Sequence, residues 1–153
     1  MSTGIVLVDD HADVREMARI ILSADRSIVV VGECGDGVSA LETVSRVLPD
    51  IVIMDIMMPE LNGLKAIHDL RRSVPAIQVL MLSIHEHAHY VAWSLRAGAS
   101  GYVLKRSMAR DLLAAVSAIR QGERFLSPSL SAVESPMSDA VRRHWLAAPV
   151  PSI

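Results

Sequence analysis

Asp50-Ile-Val-Ile-Met-Asp55-Ile-Met-Met-Pro59-Glu-Leu-Asn-Gly63 is an apolar run that ends abruptly in a carboxylate and continues into a loop punctuated by proline and glycine. Ile51 to Met54 are expected to form a strand covered by helices on both faces, because a strand with one wet face would alternate polar and apolar residues. Pro59 and Gly63 hold off the next helix until Leu64. Asp55 therefore stands at the carboxyl end of a buried strand, on the rim where open α/β sheets carry ligands and chemistry.

The same grammar repeats on either side. Ile5 to Val8 form a short strand that ends in Asp9 and Asp10. His11 to Ala24 shift to helical spacing, with Val14, Met17, Ala18, Ile21 and Leu22 on the inner face and Arg15, Glu16 and Arg19 opposite. Ile28 to Val31 are a second strand, closed by Gly32 and Gly35. A helix over Val38 to Leu48 points Val38, Leu41, Val44, Val47 and Leu48 inward and stops at Pro49. Leu64 to Arg72 form a third helix that ends near Pro75. Ile77 to Leu82 are a strand ending in Ser83, followed by a helix from about Glu86 to Arg96 that Gly98 closes. Gly101 to Leu104 are a short fifth strand ending in Lys105. Ser107 is the expected N-cap of the last helix, whose stripe is Leu112, Leu113, Val116 and Ile119 and whose end is Gly122. Five strands alternating with five helices through short connections predict a doubly wound, five-stranded parallel α/β sheet with helices on both faces.

Composition narrows the class. Half of the 153 residues are apolar and 21% are charged, which suits a globular domain with a core. A net charge of -2 gives no electrostatic case for direct binding to nucleic acid or an anionic membrane. Cys34 is the single cysteine, so no internal disulfide is possible and a reduced, cytoplasmic compartment is expected. The N-terminus lacks the pattern of a signal peptide, and no apolar run approaches the ~20 residues of a membrane helix. After Leu126 the character changes. Pro128, Pro136, Pro149 and Pro151 fall among serines, a linker composition. The chain thus divides into a domain over 1–126 and a linker or tail over 127–153, in which Asp139 to Ala147 form at most a short helix pairing Val141 with Trp145.

Asp9, Asp10, Asp55, Ser83 and Lys105 each follow an apolar strand and so share one rim. Clustered carboxylates repel one another, and a hard divalent cation removes that penalty. Mg²⁺ suits a site of a few carboxylates and waters that also takes a phosphate oxygen. A carboxylate can attack phosphorus to form an aspartyl-phosphate, with the cation and Lys105 neutralising the transferring group.

Val8-Asp9-Asp10-His11, Asp55-Ile-Met-Met-Pro59 with Gly63, Ser83, and Gly101-Tyr102-Val-Leu-Lys105 resemble the receiver domain of two-component response regulators over roughly residues 4–126. Leu95-Arg-Ala-Gly-Ala-Ser-Gly-Tyr-Val-Leu-Lys105 and Phe125-Leu-Ser-Pro128 are similar to the NarL/FixJ-type subfamily. The resemblance implies a flavodoxin/CheY-like sheet of order 2-1-3-4-5 and Asp55 as phosphoacceptor. It also implies Mg²⁺ held by Asp10, Asp55, Asp9 through water and the Met57 backbone carbonyl, and Ser83, Tyr102 and Lys105 as the phosphoryl-sensing set. In such a switch Ser83 moves toward the phosphate and Tyr102 turns inward, reshaping the face of the fourth helix, fifth strand and fifth helix. The implied partners are a cognate histidine kinase, a second copy on phosphorylation, and DNA only through a C-terminal helix-turn-helix absent from this sequence. Chemistry of its own is limited to self-phosphorylation and autodephosphorylation.

Two departures stand out. Arg106 follows Lys105 where many receivers carry a cis proline, and a cis bond before a non-proline residue costs ~2.5–4 kcal/mol. The 27 residues after Leu126 are too few for a helix-turn-helix domain. Met57 and His85, each two residues past a site residue, are candidates for tuning the phosphate lifetime. His85, His87 and His89 lack the further ligand a metal site would need, and Trp93 is assigned to packing. Alternative functions are a stand-alone phosphorylation-controlled adaptor or an aspartyl-phosphate phosphatase. The second is disfavoured because Met57 occupies the place of its acid/base carboxylate.

Overall fold

The computed structural model describes residues 2–56, 58 and 63–132. Within them β1 (Thr3–Val8), α1 (Ala12–Leu22), β2 (Ile28–Cys34), α2 (Gly37–Val47), β3 (Ile51–Met54), α3 (Gly63–Ser73), β4 (Gln78–Ser83), α4 (Ala88–Ala97), β5 (Gly101–Leu104), α5 (Met108–Arg120) and β6 (Phe125–Leu126) follow in order. The strands form one parallel sheet of order β2-β1-β3-β4-β5-β6. The five-stranded expectation is corrected to six. Phe125 and Leu126 are too few to show a period-two signal, yet they pair with Gly101 and Tyr102. Gly101 permits the approach, since a Cβ there would lie 3.0 Å from the Phe125 carbonyl oxygen and 2.9 Å from Leu80 Cδ1.

Continuous apolar strands build two cores. Val6, Val8, Val52, Met54, Val79, Met81, Tyr102 and Leu104 face α2, α3 and α4, while Ile5, Leu7, Ile51, Ile53, Leu80, Leu82 and Val103 face α1 and α5. Every residue of β3 and β5 is buried, as strands covered on both faces require. β2 is an edge strand. A register shift opposite Ile5 and Val6 turns Gly32 and Cys34 toward α2 and leaves Val29 and Val31 exposed.

Several inward assignments are overturned. Met17, Val38, Leu48 and Trp93 are all exposed. The stripe of α2 runs through Gly37, Ala40 and Val44, which puts Val38 one position off it. In α4, Ala88, Val91, Ala92 and Ser94 are buried and Trp93 points away, its ring 5.2 Å from His89 and 5.7 Å from Tyr90. Leu48 ends α2 with φ 48°, a left-handed residue rather than an inward one. The Ser107 hydroxyl makes no capping bond to α5; its Oγ lies 3.5 Å from Ser129 Oγ instead. Packing also continues past Leu126, because Ser127 and Leu130 are buried.

Candidate functional site

The order of the sheet reverses at β1, which has β2 on one side and β3 on the other. That reversal opens a crevice at the carboxyl ends of β1 and β3. The ladder brings the two acids to it: Val8 pairs with Met54, the Asp55 N–H donates to the Val8 carbonyl at 3.1 Å and the Asp9 N–H to the Cys34 carbonyl at 3.0 Å. Asp9 and Asp55 are buried, whereas Asp10 is exposed.

Lys105, leaving β5, reaches across the end of β4. Its Nζ lies 2.8 Å from Asp9 Oδ2 and 2.9 Å from Asp55 Oδ2. Burial works against the ammonium, but hydrogen bonds and charge from Asp9 and Asp55 outweigh it and hold the Lys105 pKa above the ordinary lysine value. His11, given no role from the sequence, belongs to the same cluster. Its backbone N–H donates to Asp9 Oδ1 at 2.9 Å, and its Nδ1 lies 3.1 Å from Asp9 Oδ1 and from Asp10 Oδ1. The position immediately after an acid pair was the available signal. Arg15 Nη1 donates to the Asp9 carbonyl, anchoring the loop from behind.

Ligand atoms of Asp9, Asp10, His11 and Asp55 all lie within 4.8 Å of one another, the size of a single-cation site. Three carboxylates in a cluster that already draws an ammonium fit a hard divalent ion such as Mg²⁺. Among the described residues, His85, His87 and His89 form no such group. Met57, expected to offer its carbonyl and to tune phosphate lifetime, lies outside the described residues, as do Pro59 and residues 133–153 with Trp145.

Ser83 and Tyr102 are fully buried below the rim. Ser83 Oγ accepts from the His85 N–H at 3.1 Å, and the Tyr102 hydroxyl donates to the His85 carbonyl at 2.6 Å. Burial raises the Tyr102 pKa, against the Ser83 hydroxyl, which lowers it. Tyr102 thus already stands inward, and inward rotation is not the motion left to it. The His85 ring stacks on Tyr90 with centroids 4.3 Å apart. His11, Asp13, Val14, Asp55, Ile84, His85 and Lys105 line an open cleft of about 290 Å³ above the acids. Ile84, 70% exposed, and Asp13 also stand at this mouth without a sequence-derived role. No cis peptide bond occurs among the described residues, and Arg106 turns outward to pair with Glu86.

Residues 5–117 match the response regulator receiver domain family, and the chain belongs to it: this is the receiver of a two-component response regulator. Its relatives are of the NarL and DegU type. It is 41% identical over 127 residues to the transcriptional regulatory protein DegU of Brevibacillus brevis, covering 83% of this chain and 54% of that protein. It is 34% identical over 129 residues to the nitrate/nitrite response regulator protein NarL of Escherichia coli (strain K12), covering 84% of this chain and 60% of that one. The chain therefore spans little more than half the length of these relatives. Among solved structures, a LuxR-family two-component response regulator from Aurantimonas sp. SI85-9A1 superposes with a TM-score of 0.82 at 34% identity, over 86% of this chain and 94% of that chain. The signal receiver domain of a NarL response regulator from Mycobacterium tuberculosis gives 0.75 at 34% identity, over 79% and 98%.

Proposed function

We propose that Asp55 accepts a phosphoryl group from a histidine kinase, with Asp10, Asp55 and, through water, Asp9 holding Mg²⁺. The observation that carries this is Lys105 Nζ within 3 Å of both Asp9 and Asp55 in the crevice beside β1: two buried carboxylates brought together around one cation. Mg²⁺ at such a site neutralises charge on phosphoryl oxygens. An Asp55 carboxylate oxygen attacks phosphorus, the P–N bond of the donor phosphohistidine breaks, and its electron pair returns to the imidazole, which takes up a proton. The product is an acyl phosphate on Asp55. Lys105 then pairs with a phosphoryl oxygen instead of the carboxylate. Ser83 turns its hydroxyl from the His85 N–H to the phosphoryl group, which frees the backbone that Tyr102 also grips. Phosphorylation is thereby felt by α4, β5 and α5, the surface proposed to control dimerisation. His85, at the mouth, screens the acyl phosphate from water, together with Met57.

The domain over residues 1–126 is the switch, and the segment beyond it leads toward an output domain. Because relatives are named transcriptional regulatory proteins, the output we assign is DNA binding, in the cytoplasm. Catalysis is limited to self-phosphorylation and autodephosphorylation. Acetyl phosphate with Mg²⁺, followed by intact mass, tests the site: the parent gains one phosphoryl group and Asp55→Asn gains none. A phosphorylated Asn variant would refute it.

A further inference from the structure

From the sequence, Ser127 falls at the start of the linker and inside the Phe125-Leu-Ser-Pro128 phrase, with no role of its own. It is 1% exposed and makes three buried hydrogen bonds. Its Oγ accepts from the Leu104 N–H at 3.1 Å, its hydroxyl donates to Asp111 Oδ2 at 2.8 Å, and its N–H donates to the Tyr102 carbonyl at 2.9 Å. Asp111 is 3% exposed and is held from the solvent side by Arg110 at 2.9 and 3.2 Å. β6 ends at Leu126, so the last N–H of β5 has no ladder partner on that side. The Ser127 hydroxyl takes its place. A hydroxyl both accepts and donates, and here it uses both capacities to bridge a strand end to a buried carboxylate on α5.

The next residue after Leu104 is Lys105. We infer that Ser127, braced by Asp111, is a positioning residue for Lys105, and that the same clamp carries the state of Asp55 to the segment that follows Leu126. The inference rests on the assignment of Asp55 as phosphoacceptor. Its physical content is that Lys105 shortens or lengthens its reach as the group on Asp55 changes. Any shift of the Leu104–Lys105 backbone is then passed to Ser127, whose Oγ holds the Leu104 N–H from the β6 side. Coupling of this kind is reciprocal, so a change at Ser127 alters affinity at Asp55. The acids that hold the cation follow β1 and β3, and two of them, Asp9 and Asp55, also touch Lys105, so Mg²⁺ affinity changes in the same direction but less than affinity for the phosphoryl mimic.

Titration with Mg²⁺ alone, and then with beryllium fluoride as phosphoryl mimic in saturating Mg²⁺, separates the two roles. Ser127→Ala is expected to weaken beryllium fluoride binding roughly three- to tenfold, the worth of one buried hydrogen bond, with a smaller change in Mg²⁺ affinity, and Ser127→Thr to restore it. In the parent, independent of any variant, amide exchange at Leu104 and Ser127 is expected to slow on adding beryllium fluoride. Parent-like affinity in a folded Ser127→Ala protein, an equal loss of Mg²⁺ and beryllium fluoride binding, or unchanged exchange at both amides would each overturn the inference. A parent that binds Mg²⁺ but neither beryllium fluoride nor a phosphoryl group would instead overturn the Asp55 assignment, and the clamp's role with it.

Discussion

Two buried carboxylates share one ammonium at Lys105, so this side chain has a stabilising role beside the chemical one proposed for it. Lys105→Met leaves Asp9 and Asp55 uncompensated, and stability in metal-free buffer is expected to fall by about 3 kcal/mol in urea unfolding, with part of the loss recovered by Mg²⁺. The sign of the pH effect follows from the raised Lys105 pKa: the stabilisation is complete below the ordinary lysine value of 10.5 and is lost as pH rises through the higher folded value. Tyr102 acts in the same direction. Burial favours its neutral phenol, so its contribution is complete below pH 10.0 and disappears as alkali forces ionisation of the folded protein. Absorbance at 295 nm should show a late component that coincides with unfolding, and Tyr102→Phe should remove it. A Tyr102→Phe protein that keeps the late component would place the buried phenol elsewhere.

Helix ends supply the next test. Leu48 closes α2 with φ 48°, a conformation that costs an L-residue about 1–2 kcal/mol, and its side chain is exposed. Leu48→Gly is therefore expected to stabilise the protein by up to about 1 kcal/mol, read as a higher urea midpoint at unchanged slope. Gly98 closes α4 at φ 108°, and a Cβ there would lie 2.7 Å from Arg71 Cδ. The same Arg71 donates from Nη1 to the Ile77 and Gly98 carbonyls. Gly98→Ala combines backbone strain with a displaced arginine and should cost at least about 1–2 kcal/mol.

Across the molecule, cation binding and folding are linked. A Mg²⁺ ion held by the folded acids, as proposed, would not be held by a dispersed polypeptide, so at a hundredfold excess over its dissociation constant it should add about 2.7 kcal/mol. Thermal melts with and without Mg²⁺ check this, and Asp10→Asn should abolish most of the shift. Part of the acid limb of stability has a separate origin at the far edge of the sheet. Arg110 first, then Ser127, hold Asp111 below the usual carboxylate range against the effect of burial. Its contribution is present above the unfolded value of 3.8 and lost as pH falls through the lower folded one. Asp111→Asn should flatten stability against pH in that acid window only.

Much of this was readable in the sequence because strand ends are punctuated. An apolar run stopping at Asp9, Asp55, Ser83 or Lys105 names both the strand and the rim residue, and parallel crossovers then force those rims to coincide. The sequence by itself determined the alternation of strands and helices, the residues of the acid cluster and the family. Tertiary structure alone decided what periodicity does not encode. It put Met17, Val38 and Trp93 outside their helical stripes, because the stripe depends on which neighbour a helix meets. It brought His11 onto Asp9 and Asp10, set Tyr102 inward on the His85 carbonyl, and added β6. A two-residue strand and a serine in linker-like sequence carry no local signal. Asp55 can be recognised from a stretch of fourteen residues, but Ser127 acquires its meaning only where β5 ends beside it, leaving one buried N–H that a hydroxyl must satisfy.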